Sequence, residues 1–410
     1  MNNKKPFLLG ALSGVLLVLV LNFVAMPFFG GLGGIWGDGN DGFSAVTDDP
    51  AQAERLRKME EIVALLDAHY VDEFDHDALY EMMYEGLAYG VGDPYTAYMD
   101  ADTFQEYMID TEGIYTGIGV VVTPDMDTNR IVIVSPYENY PAAKAGLLPG
   151  DAIVRVEDTD VFGDTMDLAV SMMRGEPGTD VTITVYRESE NRSFEITITR
   201  ELINMPTVSH KLLDDGIGYL RITTFDRVTT AQFKTAYADL LKQNMTGLIL
   251  DVRNNPGGLV SVVCDIADML VPRGTIVSMV DKYGRSEPHK SDASCIDVPL
   301  LILVNGNSAS ASEILAGAVK DLGVGELVGT RTFGKGLVQT IFELEDGSAL
   351  KVTIQKYYTP SGVCIQGEGI PVDYEIDMSD ELSVRISSLS LEEDVQLTKA
   401  IEVMQGKLAE

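Results

Sequence analysis

Between Gly216 and Asp373 short apolar runs alternate with amphipathic ones, and that alternation restricts the region to an α/β fold. Ile217 to Thr223, Gly247 to Val252, Leu300 to Val304 and Leu350 to Tyr358 read as strands, while Thr230 to Gln243, Leu259 to Leu270 and Ser312 to Leu322 read as helices. An α/β domain is the expectation.

Two phrases follow such strand ends. Asn307-Ser308-Ala309-Ser310-Ala311-Ser312-Glu313 comes after the Leu300 to Val304 run, and Thr332-Phe333-Gly334-Lys335-Gly336 comes next, with Gln339 just beyond. A serine hydroxyl needs a neighbouring base to act as a nucleophile at neutral pH. The only histidines are His69, His76, His210 and His289, and none lies in a segment of this kind, so Lys335 is the candidate base. That role requires a neutral amine, a pKa lowered by roughly 3 units or about 4 kcal/mol. Phe333, Leu337 and Val338 supply apolar walls, and no acid falls between Glu326 and Glu343. Ser310 with Glu313 equally fits a helix-capping box. The two readings are compatible, because a nucleophile at a helix start gains the amide of Ala311 and the positive end of the helix dipole.

The wider phrases resemble the carboxyl-terminal processing peptidases, serine peptidases with a Ser/Lys dyad. Val304 to Ile314 is similar to the family's nucleophile segment, Gly329 to Gln339 to its lysine segment, and Asp251-Val252-Arg253-Asn254-Asn255-Pro256-Gly257-Gly258 to its strand-end loop. Carried over by position, the resemblance implies Ser310 as nucleophile, Lys335 as general base, Gln339 as the residue orienting the lysine, and the amides of Gly258 and Ala311 as the oxyanion hole. It also implies a crotonase-like α/β peptidase core with an inserted PDZ domain, no cofactor, and protein or peptide substrates cut near their free C-termini.

The inserted module is visible between Thr111 and Arg200. Tyr115-Thr116-Gly117-Ile118-Gly119-Val120 runs into a strand, and Pro141 to Asp151 carries the Ala-Gly-Leu-Leu-Pro-Gly-Asp phrase that looks like a PDZ domain. Gly117 and Gly119 would turn backbone amides outward to hold a terminal carboxylate while the peptide adds as a strand. A hairpin device is the plainer reading of the glycine pair alone. Arg174, near the end of the module's second helix, is a candidate contact if the module acts as a switch.

Lys4 and Lys5 precede an apolar run from Phe7 to Phe29, long enough at ~1.5 Å per residue to cross a bilayer. A retained, single-pass transmembrane anchor in a bacterial cell membrane, with the catalytic part extracytoplasmic, is the expectation, and secretion after signal cleavage is the alternative. The boundaries drawn are 1–29 for the anchor, 30–50 for a glycine-rich flexible linker, 51–110 for an N-terminal helical segment, 111–200 for the PDZ domain, 201–380 for the peptidase core and 381–410 for a C-terminal helical segment. Apolar stripes at Leu56, Met59, Ile62, Val63 and Leu66, and at Val395, Leu397, Ile401, Met404 and Leu408, are either internal packing or, as the resemblance implies, the surfaces of a homodimer.

The formal charge is −33, which makes nucleic acid a poor partner. Cys264, Cys295 and Cys364 are odd in number, a Cys264 to Cys295 bridge stays open, and neither they nor the histidines have metal-ligand spacing. A tethered PDZ scaffold with an inactive peptidase domain, and an acyl-coenzyme enzyme of crotonase type, are the non-peptidase alternatives.

Overall fold

The computed structural model describes residues 49–292 and 295–409. The anchor, and nearly all of the linker, lie outside the described residues. Among the described residues no helix is long and apolar enough to cross a membrane.

The central sheet has six strands in the order Val208–Leu212, Ile217–Ile222, Gly247–Asp251, Leu300–Val304, Gly325–Gly329, Tyr374–Glu375, the first antiparallel to its neighbour and the rest parallel. Gly247–Asp251 and Leu300–Val304 are buried at every position, as the apolar runs Leu248 to Leu250 and Leu300 to Val304 require of strands covered on both faces. Alternate side chains part to the two sides. Leu248, Leu250, Leu300, Ile302 and Val304 join a large core with the helices Thr229–Lys242, Val260–Leu270 and Ala311–Asp321. Ile249, Leu301 and Leu303 pack against Leu397, Ala400 and Met404 of the C-terminal helix Val395–Leu408. Each strand and helix read from the sequence in this region is present within a residue or so of its expected ends.

A second sheet stands beside the first, built from Ala97–Met99, Ala349–Tyr358, Gly274–Asp281 and Ser286–Ser291, with Leu337–Glu343 also paired to Ala349–Tyr358. The inserted module has its own core around Ile131, Ile133, Ile153, Ile183 and Val185. It hangs on a two-stranded ribbon, Ile114–Gly117 against Glu201–Asn204, so both of its connections leave side by side.

The two apolar stripes fare differently. On the C-terminal helix Leu397 and Met404 are buried in the chain's own core, with Ile401 and Leu408 packed against it, which is internal packing and not a free dimer surface. The N-terminal helix Pro50–His69 buries no residue, and Leu56 and Ile62 are 47% and 50% exposed. All three cysteines are free: Cys264 is buried, its thiol pushed up to about 12 by desolvation, while Cys295 is exposed. Among the described residues no group of three or more His, Cys, Asp and Glu could hold a metal ion.

Candidate active site

Three parallel strands deliver the expected site residues from their carboxyl ends, where the crevice of an α/β sheet lies. Asp251–Gly258 leaves the strand Gly247–Asp251, Asn305–Ser310 leaves Leu300–Val304, and Thr330–Lys335 leaves Gly325–Gly329. Hydrogen bonds bind the first two loops together. Asn254 and Asn305 exchange two, Asn254 N to Asn305 Oδ1 at 3.0 Å and Asn305 Nδ2 to Asn254 Oδ1 at 2.7 Å. Ser308 Oγ donates to Val252 O at 2.8 Å, and Ser312 Oγ to Asn255 O at 2.9 Å. The serines flanking Ser310 are therefore occupied as struts.

Ser310 is different. It begins the Ala311–Asp321 helix with φ 54° and ψ −113°, a left-handed conformation that a residue with a Cβ adopts at a cost of about 1–3 kcal/mol. Its hydroxyl is buried and, among the described residues, has no hydrogen-bond partner. Only half of the expected capping box is used: Glu313 Oε2 accepts from the Ser310 amide at 2.9 Å, while Ser310 Oγ stays free.

The Glu313 carboxylate does far more than cap. It is fully buried and also accepts from Lys335 N at 2.8 Å, Gly334 N at 2.7 Å and Thr332 Oγ1 at 2.6 Å. Burial pushes its pKa up, against these donors, which pull it down. Tyr357, likewise buried, sets its hydroxyl against the carbonyl oxygens of both Ser310 and Lys335. Two residues absent from the sequence reading as site members thus lock the serine and lysine segments together. The Ser-x-x-Glu spacing was the one signal for Glu313; nothing local marks Tyr357.

Lys335 has no exposed surface, and its amine has no hydrogen-bond partner among the described residues. Burial lowers its pKa to about 7, the charge of Lys351 adding to the effect while Asp93 and Glu313 oppose it. The tertiary structure thus brings acids that the neighbouring sequence lacks, but desolvation outweighs them. The ring of Tyr95 lies 4.3 Å from the amine, and Gln339 donates from Nε2 to Thr353 Oγ1 at 3.0 Å, its own Oε1 being buried and partnerless. Ser310 Oγ, Lys335 Nζ and Gln339 Oε1 are each buried without a hydrogen-bond partner among the described residues, and buried polar atoms in a core are ordinarily paired.

Gly257 and Gly258 take φ 116° and 142° for reasons of space. A Cβ on Gly257 would come within 2.8 Å of Ser310 Cβ, and one on Gly258 within 2.5 Å of Phe225 O. Phe225 donates to Gly257 O at 2.9 Å and accepts from Leu259 N at 2.7 Å, which leaves the Gly258 amide between them outside the ladder. The Ala311 amide, first in its helix, also takes no hydrogen bond among the described residues. A cavity of about 590 Å³ opens nearby, lined mostly by apolar side chains that include Leu337, Leu350 and Val352, with Thr353 on its wall.

Behind the loops, Arg253 is fully buried between Asp251 at 2.7 Å and Asp394 at 2.8 Å. Asp251 in turn accepts from Tyr219 Oη at 2.7 Å, so the C-terminal helix is joined to the strand-end loop by ions as well as by packing.

In the inserted module Ile118 is a core side chain rather than a surface one, and the carbonyls of Ile118 and Gly119 are spent on Ala142 N and Tyr137 N at 2.8 and 2.9 Å. Gly119 has φ 77° and Tyr140 Cβ within 2.8 Å of where its own Cβ would be. Val120 opens the strand Val120–Asp125, which is an edge of the module's sheet and so available for pairing. Tyr115, close to Gly117 and Thr116 in the ribbon, carries the Arg174 guanidinium 5.5 Å from its ring, and burial raises its phenol well above the usual range.

Comparison with known proteins places the chain in a family. Residues 216–376 match the model of peptidase family S41, residues 116–198 that of a PDZ domain, and residues 39–103 the N-terminal domain of the activating protease CtpB. The carboxy-terminal-processing protease of Bartonella bacilliformis is 36% identical over 332 residues, covering 79% of this chain and 75% of its own. The carboxyl-terminal-processing protease of Synechocystis is 34% identical, covering 77% and 75%. An S41 protease structure from Bacteroides fragilis, 15% identical, superposes with a TM-score of 0.53 over 82% of this chain and 93% of that one, a likeness of fold alone. The chain belongs to the carboxy-terminal-processing proteases, serine-type peptidases of family S41 that carry a PDZ domain.

Proposed function

We propose that this peptidase works through a Ser310/Lys335 dyad and cuts polypeptides near C-termini that its PDZ domain has captured. The observation that carries the reading is Lys335: a fully buried amine with a pKa of about 7, held on the same carboxylate as a strained serine whose hydroxyl is free. Neutral Lys335 accepts the Ser310 proton as Oγ attacks the scissile carbonyl. The ammonium so formed protonates the leaving amine, and the acyl group remains on Ser310. Water then attacks the acyl carbonyl, giving a proton to Lys335, and the serine leaves with a proton restored. The amides of Gly258 and Ala311 stabilise the oxyanion in both steps, helped by the positive helix end. Gln339 Oε1 is the acceptor that orients the amine. Direct proton transfer requires Oγ and Nζ within hydrogen-bond reach, ~2.6–3.2 Å.

The free edge of Val120–Asp125 supports strand addition by a peptide whose carboxylate is held at the 115–120 turn, and the apolar run Phe7 to Phe29 supports an anchored, extracytoplasmic enzyme. The test is incubation of the chain without residues 1–44 with an unfolded protein, and identification of the peptides by mass spectrometry. Cleavage that persists unchanged in Ser310→Ala overturns the reading.

A further inference from the structure

Lys335 and Gln339 are not finished by the peptidase core. The loop that reaches them comes from the N-terminal segment, within the residues matched by the N-terminal domain model and more than a hundred positions before the S41 match begins. Its place is set by the short strand Ala97–Met99, which pairs with Ala349, Leu350 and Lys351 in the strand that also forms a hairpin with Leu337–Glu343. Tyr95 lies with its ring centroid 4.3 Å from Lys335 Nζ. Thr96, buried, donates from Oγ1 to Asp93 Oδ2 at 2.7 Å and accepts from Thr353 N at 3.2 Å. Thr353 stands opposite Gln339 in the hairpin and receives its Nε2 at 3.0 Å.

We propose that the Asp93–Thr96 loop is a positioning arm of the catalytic site: Tyr95 shields the Lys335 amine from water, and Asp93, acting through Thr96 and Thr353, fixes which way the Gln339 amide faces. The argument for the second part is one of proton direction. An ionised carboxylate only accepts. Burial pushes the Asp93 carboxyl up, but the Thr353 and Thr96 hydroxyls and the amides of Tyr95 and Thr96 hold it below its usual range, so it stays charged. Thr96 Oγ1 gives its proton to Asp93, so only its lone pairs remain for the Thr353 amide, and that bond holds Thr353 opposite Gln339. Held there, Thr353 Oγ1 receives the Gln339 NH₂, which turns the Gln339 carbonyl oxygen away, and that oxygen is buried and partnerless. Without Asp93 the Thr96 hydroxyl is free to turn, Thr353 loses its anchor, and the Gln339 amide is no longer held in one orientation.

The argument for Tyr95 is one of solvation. Charged or titratable groups facing Lys335 are Lys351, Asp93 and Glu313, and the two acids favour the ammonium, as does the face of an aromatic ring. The amine is nonetheless depressed because burial is the largest influence. Removing a ring in van der Waals range admits water and lets the acids prevail.

This inference rests on Lys335 acting as the base, and the experiment separates the two. In the full chain, kcat, KM and the pH profile of kcat are measured on an unfolded protein substrate for Thr353→Val, Thr353→Ser, Tyr95→Ala and Tyr95→Phe, with Ser310→Ala and Lys335→Ala alongside. Thr353→Val is expected to lower kcat by about 10- to 100-fold at unchanged KM, with Thr353→Ser near wild type. Tyr95→Ala is expected to move the acidic limb of kcat upward by about one pH unit, with Tyr95→Phe unmoved. Wild-type kcat in folded Thr353→Val together with an unmoved limb in Tyr95→Ala overturns the arm while Ser310→Ala and Lys335→Ala remain inactive. Activity retained in Lys335→Ala overturns the dyad itself.

Discussion

The backbone amides of Ser310 and Lys335 donate to one oxygen atom, Oε2 of Glu313, at 2.9 and 2.8 Å. Nucleophile and base are therefore positioned by a shared anion rather than by contact with each other. Glu313→Gln replaces an acceptor-only group by one that is half donor, leaving at least one buried N–H or O–H unsatisfied at about 1–3 kcal/mol. The variant is expected to lose at least about 100-fold in kcat and to melt several degrees lower. Wild-type turnover at an unchanged melting temperature would remove Glu313 from the mechanism.

Ser310→Ala and Lys335→Ala are each expected to abolish peptide cleavage with the fold retained, because one removes the nucleophile and the other its proton acceptor. Ser308→Ala and Ser312→Ala strip buried struts to the backbone and are expected to cost about 1–3 kcal/mol of stability, with much smaller effects on kcat. Parallel urea titrations and peptide assays separate the two classes, and an inactive but fully stable Ser308→Ala would reassign the nucleophile.

Activity is expected to rise with pH through about 7, as neutral Lys335 becomes populated. Stability follows the same direction. The folded pKa lies below the unfolded value of ~10.4, so between about pH 7 and 10.4 the unfolded chain holds a proton that the native chain lacks, and raising pH stabilises the fold by up to about 4 kcal/mol. Below pH 7 the native state carries a buried ammonium and the full cost is felt. Lys335→Met is expected to flatten this part of the stability profile, read by chemical unfolding at pH 6, 8 and 10; an identical slope in both proteins would count against a depressed lysine.

Arg253 is held by Asp251 and Asp394 with no exposure, so Asp394→Ala leaves a buried charge half-compensated, at about 3–5 kcal/mol. Adding Arg253→Met is not expected to recover that loss, because it leaves the buried Asp251 carboxylate without its cation. Wild-type stability of Asp394→Ala in urea would show that the helix Val395–Leu408 is held by packing alone.

If the 115–120 turn captures a terminal carboxylate, amidating the C-terminus of a polypeptide substrate is expected to raise KM severalfold, with little effect on a short peptide that reaches Ser310 unaided. Substrate chemistry is the cleaner test here. A bulky residue at Gly119 would collide with Tyr140 and strain the module whatever it binds. Identical KM values for free and amidated substrates would leave the carboxylate without a role.

The sequence by itself determined the elements and the order of the site. Strands such as Gly247–Asp251 and Leu300–Val304 are legible because short apolar runs suit a sheet covered on both faces, and Ser310, Lys335 and Gln339 stand in phrases short enough to be read locally. The same local pattern misjudged the use of Glu313, whose capping spacing is real but whose main partners lie 19 to 22 residues on. It was silent on Tyr357, on the Arg253–Asp394 pair and on the bond from Thr353 to Thr96, which spans 257 positions. It could not choose between internal packing and a dimer face for two similar stripes, one of which lies in the chain's own core and the other of which does not. Periodicity records which side of a strand or helix shuns water. Which buried polar group meets which, and how far a lysine is stripped of solvent, depends on atoms brought within about 3 to 4 Å only when the sheets close on each other, and only the tertiary structure decides that.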